Sequence, residues 1–220
     1  MSKNIILQHF NGDLRELDKL SLKNIQSYAE QIGSEYKLVE GKPFRKHLTN
    51  PCQKVFMLDE LFDDYDNVLM LDIDVFIRKG LSINIFEVAG NGIHGPTQVR
   101  LKEKLVKAGK MKSNSPYWAG SIYKFSRTER QLLRSKLPLI DDWMDFYNQP
   151  YHFEDEGILA ELAMKAKFNV SYLDFKWNQC SFLPNPESAY MLHIRTKITP
   201  TGPKREKIEN YQELVSKSII

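Results

Sequence analysis

The sequence predicts an α/β fold in which helices flank a mixed, mainly parallel central sheet. The first observation is an order of strand, helix, strand, helix, strand over the first 77 residues, which is typical of parallel sheets with crossover helices. The second is the apolar segment from Val68 to Ile77, which predicts a buried strand. Hydrophobic side chains make up 42% of 220 residues, enough for one core, so we expect a single domain over 1–220.

The first elements follow from local patterns. Lys3 to Phe10 is a short apolar segment that predicts a strand. Apolar side chains recur at helical spacing after Ser21, a favourable N-cap, and Gly33 is placed to end that helix. Tyr36 to Val39 predicts the second strand, and Asn50-Pro51 is expected to open the second helix as N-cap and N1. The Val68 strand then completes the alternating order.

The second half has less regular patterns. Val99 to Ser115 is basic and polar, and we expect it to form a mobile flap. The remaining predicted elements are a strand at Tyr117–Tyr123, a helix that starts at the capping box Ser126–Glu129, a helix that opens at Asp155, late strands at Phe168–Leu173 and Tyr190–Ile194, and a helical tail from Lys204.

Asp72 and Asp74 are the most informative residues of the chain. They are separated by one residue at the end of the Val68 strand, where alternation would place both side chains on one face. Two neighbouring carboxylates repel each other, so this pattern favours a bound cation, and oxygen ligands suit Mg²⁺ or Mn²⁺. The alternative is a polar strand end whose acids cap a turn or the next helix.

Two other groups could carry chemistry. Glu154, Asp155 and Glu156 stand at the start of a predicted helix, where acids are also favoured by the helix dipole alone. His193 ends a predicted strand and precedes a basic stretch that includes Lys204. A strand histidine is commonly a packed structural residue, whereas a metal site could use its imidazole, and the basic stretch is either a diphosphate site or a solvated tail.

Charge and hydropathy exclude some partners. A net charge of +3 without a dense basic stripe makes nucleic acid a poor candidate partner. The chain has no apolar segment long enough for a membrane span or signal peptide. We therefore expect a soluble, cytoplasmic protein.

Several of these segments together resemble a known family. The segments Tyr28–Gly33, Tyr65–Ile77, Trp118–Ser121, Leu173–Asn178 and Leu192–His193 occur in the order found in nucleotide-sugar-dependent glycosyltransferases with the GT-A (Rossmann-like) fold. The chain departs from that family in having Trp118 where the family has asparagine and Glu156 where it has glutamine. The spacing from His193 to Lys204 is also longer than usual.

The resemblance implies roles for individual residues. Asp72, Asp74 and His193 would bind Mn²⁺ or Mg²⁺, and Asp155, Glu156 and Glu154 would be the catalytic acids. The residues implied to bind the donor are Gln8, His9, Phe10, Lys54, Asp72, Ile73, Trp118, Gly120, Ser121 and Lys204. The nucleotide-binding half would span about 1–95, and the half for the sugar and acceptor about 96–220.

The resemblance also implies an activity. It is the metal-dependent transfer of a hexosyl or deoxyhexosyl group from a nucleoside-diphosphate sugar, with UDP favoured, to a hydroxyl of a glycan acceptor, with retention of configuration. Two alternatives remain open at this point. One is a phosphohydrolase of the haloacid-dehalogenase type with Asp72 as nucleophile. The other is a metal-dependent carbohydrate-binding domain without turnover.

Overall fold

Strand β1 (Asn4–Phe10) lies inside a four-stranded sheet of order β2-β1-β3-β5 in the computed structural model, which describes residues 2–94, 96–109, 111–141, 154–196 and 205–220. β1 pairs in parallel with β2 (Glu35–Glu40) and β3 (Asn67–Leu71), whereas β5 (Ile122–Ser126) is antiparallel to β3. Both faces of β1 are buried, as expected for a strand covered by helices on each side. The predicted mainly parallel sheet with flanking helices is confirmed.

A second, three-stranded sheet was not expected from the sequence. It consists of β4 (Val75–Ile77), β6 (Gln179–Cys180) and β7 (Met191–His193) in the order β4-β7-β6. The prediction of one continuous strand from Val68 to Ile77 was therefore wrong. The chain turns at residues 72–74, after β3, and passes into the other sheet, where antiparallel pairing with β7 satisfies the backbone of β4.

Five α-helices are described. They are α1 (Glu16–Gln31), α2 (Pro96–Lys107), α3 (Arg127–Arg134), α4 (Asp155–Ala166) and α5 (Lys207–Ser216). Shorter 3₁₀ helices span Pro51–Leu58, Glu60–Phe62, Ile85–Glu87, Leu137–Leu139, Phe175–Asn178 and Pro186–Ser188. The predicted starts of α3, at the Ser126 capping box, and of α4, at Asp155, are confirmed.

Ser21 shows why one predicted helix start was wrong. α1 begins five residues earlier, at Glu16, so Ser21 is a buried residue inside the helix. Its hydroxyl donates to the Val75 carbonyl at 2.6 Å and accepts from the Gln8 amide at 3.1 Å. A serine that would cap a free helix thus joins α1 to β1 and β4 instead.

Other local expectations changed on folding. The expected flap at 99–115 includes most of α2, and the strand expected at Tyr117–Tyr123 begins only at Ile122. The segment Phe168–Leu173 forms no strand, and its Tyr172 makes an isolated bridge to Gly92. The α-helix expected after Asn50 is a 3₁₀ helix. These segments are short, so tertiary contacts outweigh local preference.

Apolar packing fixes the sheets and helices around the carboxyl end of β3. One cluster lies between the main sheet, α4 and the 3₁₀ helix Pro51–Leu58, and another between that sheet and α1. A third joins α5 to β4 and β7 through Leu214, Phe76 and Leu192. In the part of the chain that the structure describes, no helix has both the length and the apolar character needed to cross a bilayer.

Candidate active site

The turn after β3 positions Asp72 and Asp74. The Asp72 N–H donates to the Ser121 carbonyl at 3.0 Å, and the Ile194 N–H donates to the Asp74 carbonyl at 2.9 Å. The two aspartates therefore lie in a turn held on both sides, rather than on one face of a strand as expected. The two carboxylates nevertheless lie close together, because backbone hydrogen bonds to residues beside both sheets fix the turn.

Strand pairing brings His193 to these carboxylates. Val75 of β4 is paired with His193 of β7, directly beside Asp74. The His193 Nε2 lies 3.1 Å from Asp74 Oδ1 and 3.8 Å from Asp72 Oδ2. Although burial disfavours ionisation of Asp74, His193 and Lys207 hold its pKa below the usual range.

These three residues fit a divalent cation. One potential ligand atom from each, two carboxylate oxygens and one imidazole nitrogen, lie within 4.8 Å of one another. Octahedral ligands about 2.1 Å from an ion are about 3.0 Å apart when adjacent, so the separations are compatible with one shared ion. This donor set suits Mn²⁺ or Mg²⁺.

Lys54 joins this triad to the acidic end of α4. It projects from the 3₁₀ helix Pro51–Leu58 and is 6% exposed. Its Nζ lies 2.7 Å from both Asp72 Oδ1 and Asp155 Oδ2, and it donates to the Gly120 carbonyl at 2.5 Å. Burial opposes its charge, but Asp155 and Asp72 together raise its pKa, so the ammonium is retained. The two groups of acids are therefore separated by a single lysine side chain.

Glu156, at the start of α4, is fixed by two hydrogen bonds. Glu156 Oε1 accepts from the Gly120 N–H at 2.7 Å, and Oε2 accepts from the Tyr117 hydroxyl. Burial, followed by the charge of Asp155, raises the pKa of Glu156 to about 7. A side chain at Gly120 would not fit, because its Cβ would lie 2.9 Å from Asp155 Oδ2.

The metal triad, Lys54 and the acids at the start of α4 border a cavity of about 730 Å³. The predicted site residues that line it are His9, Phe10, Lys54, Asp72, Ile73, Asp74, Gly120, Ser121, Glu154, Asp155, Glu156 and His193. Both proposed halves of the chain contribute, since residues below 95 and above 96 meet on its wall. This volume is in the range typical of sites for small molecules and cofactors.

Two predicted donor-binding residues, Gln8 and Trp118, are placed differently. Gln8 is buried behind the cavity, where its amide donates to the Asp72 carbonyl at 3.0 Å and accepts from the Tyr36 hydroxyl at 3.1 Å. Trp118 is buried against Tyr123 with its ring edge-on. Neither residue is part of the cavity wall. Lys204 lies outside the described residues.

The cavity also includes residues that were not predicted as site residues. Among them are Arg15, Phe175, Cys180 and Lys207. Arg15 stands at the start of α1, where its guanidinium pairs with Asp18 at 2.8 Å. No periodicity or motif marks these positions, because elements distant in the sequence bring them together.

Comparisons with solved structures support the fold. A glycosyltransferase involved in glycosylation of the major capsid of PBCV-1 superposes with a TM-score of 0.58 and 12% identity, covering 97% of this chain and 99% of that one. An active-site mutant of LgtC gives 0.61 and 13%, with 97% and 95% coverage. The bifunctional glycosyltransferase WbbM gives 0.59 and 15%, with 99% of this chain matching 52% of that one.

A further structure, the galactosyltransferase LgtC in complex with donor and acceptor sugar analogues, gives a TM-score of 0.55 and 14% identity over 97% of this chain and 95% of that one. No family model matches the sequence, and no curated protein matches it by sequence. The structural matches confirm the GT-A fold predicted from the resemblance.

Proposed function

We propose that this protein is a metal-dependent glycosyltransferase that moves a hexosyl or deoxyhexosyl group from a UDP-sugar to a hydroxyl of a glycan acceptor. One observation carries the proposal: Asp72, Asp74 and His193 bring three potential ligand atoms for a divalent cation together on the wall of the cavity that also contains the acidic start of α4. That cavity belongs to a fold shared with glycosyltransferases.

The triad would hold the cation at the diphosphate of the donor. When bound, the cation neutralises charge on the departing nucleoside diphosphate. Lys54 fixes the orientation of Asp72, since its ammonium holds the oxygen that His193 does not face. His9 and Phe10, which end β1 at the same cavity, are assigned to the nucleoside.

The acids of α4 are assigned to the sugar. Asp155 is held by Lys54 and by the Tyr123 hydroxyl at 2.9 Å, so its carboxylate has little freedom to move. Glu156 is held by two donors and also lines the cavity, which suits a charge that stabilises an oxocarbenium-like transition state. Glu154 lines the same wall.

Calorimetry with UDP and Mn²⁺ tests the metal site. We expect UDP to bind wild-type protein with Mn²⁺ and to bind at least about tenfold more weakly without it, or in Asp74→Asn, since changes around metal ligands typically cost about 10–100-fold. Asp141→Asn is a matched control, because Asp141 is exposed and pairs with Arg45 away from the cavity. Metal-independent binding, or undiminished binding in Asp74→Asn, would contradict the proposal.

Retention of configuration is the second part of the proposal. It is supported by the resemblance of the Asp155-Glu156 and His193 segments to retaining enzymes. A panel of UDP-sugars, tested for Mn²⁺-dependent turnover, would identify the donor, and NMR of the product would then give its anomeric configuration. We expect the configuration of the donor to be kept, and an inverted product would refute this part alone.

A further inference from the structure

Lys207, the first residue of α5, reaches into the candidate active site. Its ammonium forms an ion pair with Asp74 Oδ2 and lines the cavity. The Lys207 side chain is 32% exposed, whereas the Asp74 side chain is 7% exposed. The ammonium therefore stands between a buried carboxylate and the open space where a ligand would enter.

The packing of α5 fixes the position of Lys207. The Asn210 amide donates to the Arg195 carbonyl at 2.7 Å, and the Tyr211 ring lies 5.0 Å from the Phe76 ring. Leu214 is buried in the cluster that includes Leu192. These contacts anchor α5 to β4 and to the end of β7, which are the same elements that position Asp74 and His193.

The carboxylates of Asp72 and Asp74 have the same kinds of partner. Each has one oxygen bound by a lysine and the other turned toward His193: Lys54 holds Asp72 Oδ1, and Lys207 holds Asp74 Oδ2. The oxygens that face His193 thus stay available for a cation. A dication bound there would nevertheless lie close to the Lys207 ammonium, which repels it.

Lys54 and Lys207 differ in their freedom to bind a ligand. Lys54 is enclosed by Asp72, Asp155 and the Gly120 carbonyl. Among the described residues, Lys207 has Asp74 as its only ion-pair partner, and it faces the cavity. Its flexible stem and remaining N–H groups can reach an anionic ligand without disturbing the fold.

We propose that Lys207 exchanges partners, from Asp74 in the ligand-free protein to the diphosphate of the bound nucleotide. The inference rests on the proposed function and deepens it. Without a diphosphate, Lys207 opposes cation binding at the triad. With a diphosphate, the same ammonium binds phosphate oxygen, so cation and nucleotide bind cooperatively.

Lys207→Met tests this exchange, with Lys217→Met, at the residue that follows the last turn of α5, as the matched control. Lys217 pairs with Glu213 and is exposed, outside the cavity. Calorimetry would measure the affinity for Mn²⁺ alone, then for UDP and for UMP at saturating Mn²⁺. Lys207→Met should bind Mn²⁺ alone at least about threefold more tightly and UDP about tenfold more weakly. UMP, which lacks the second phosphate, should be affected less.

Tighter cation binding is the diagnostic result, because damage to the fold would weaken it. The inference is overturned if Lys207→Met binds Mn²⁺ no more tightly than the wild type, or if its UDP affinity is unchanged. Lys207→Gln repeats the test with a polar side chain should the methionine variant fold poorly. If Asp74→Asn abolishes Mn²⁺ binding while Lys207→Met leaves the Mn²⁺ and UDP affinities unchanged, the lysine exchange is wrong and the proposed metal site stands. If Asp74→Asn leaves Mn²⁺ binding unchanged, the metal site and the lysine exchange are both wrong.

Discussion

Glu156 is a partly buried residue of the candidate active site, and two hydrogen-bond donors hold its carboxylate. The Gly120 N–H and the Tyr117 hydroxyl hold its carboxylate in place, and burial with the nearby Asp155 raises its pKa to about 7. Near neutral pH the group therefore exists in both protonation states. A glutamine at this position, as in the family that the sequence resembles, would hold the same place without titrating.

Glu156→Gln should change how stability depends on pH. The folded-state pKa of about 7 lies above the reference value of 4.5, so the folded protein binds this proton more tightly than the unfolded chain. The resulting contribution to stability is fully present below about pH 4.5 and is lost as pH rises toward 7. Relative to the variant, wild-type protein should lose on the order of 1–3 kcal/mol of unfolding free energy between pH 5 and pH 8.

Urea unfolding at pH 5, 6, 7 and 8 would measure that difference. Glu161→Gln is the control, since Glu161 lies on the same helix, is partly exposed and pairs with Lys165. Equal pH slopes for Glu156→Gln and wild type would show that Glu156 has an ordinary pKa.

At the scale of elements, strand pairing and helix placement assemble the site. The pairing of β4 with β7 places His193 beside Asp74, and Lys207 at the start of α5 forms an ion pair with the same carboxylate. Local patterns predicted a late strand ending near His193 and a helical tail. They did not predict which strand His193 would pair with, because sequence periodicity carries no information about partners far along the chain.

Helix α2 occupies part of the region that we expected to be a mobile flap. Leu101 lines the cavity, while neighbouring residues such as Val99, Arg100 and Glu103 are exposed. This arrangement fits a helix that borders the cavity on one side and meets solvent on the other. We expect α2 to be held more firmly when nucleotide and cation are bound.

Limited trypsin digestion tests this expectation at Arg100, Lys102, Lys104 and Lys107. Saturating UDP with Mn²⁺ should slow cleavage in α2 by more than about tenfold, because opening is opposed by ligand binding. Asp74→Asn, which should bind UDP at least about tenfold more weakly, serves as control and should be protected less than wild-type protein at the same ligand concentrations. Unchanged cleavage of wild-type protein would exclude a closing role for α2.

At the scale of the whole molecule, the cavity lies where the two sheets, α4 and α5 converge. The main sheet supplies Phe10 and the turn with Asp72, the small sheet supplies His193, and the helices supply acids and a lysine. Charges of both signs therefore meet in one pocket, which suits the proposed donor, in which a cation-bound diphosphate joins a nucleoside to a neutral sugar.

Much of the architecture was predictable from local patterns. The alternating first half, the capping box at Ser126 and the start of α4 at Asp155 all follow from short-range preferences that agree with the final fold. The division into two sheets was not predictable, because it depends on the turn at 72–74, whose apolar flanks look like one strand. The resemblance assigned Gln8 and Trp118 to donor binding, but both side chains are buried and neither lines the cavity.

The sequence by itself determined the order of the early elements and the presence of acids at the end of β3 and the start of α4. Burial periodicity and capping are local, so they can be recognised without knowing the fold. Only the tertiary structure decided which charges meet: Lys54 with Asp72 and Asp155, and Lys207 with Asp74. Such partners are selected by the packing of distant elements, in which the cost of burying a charge is offset only by the neighbour that the whole fold provides.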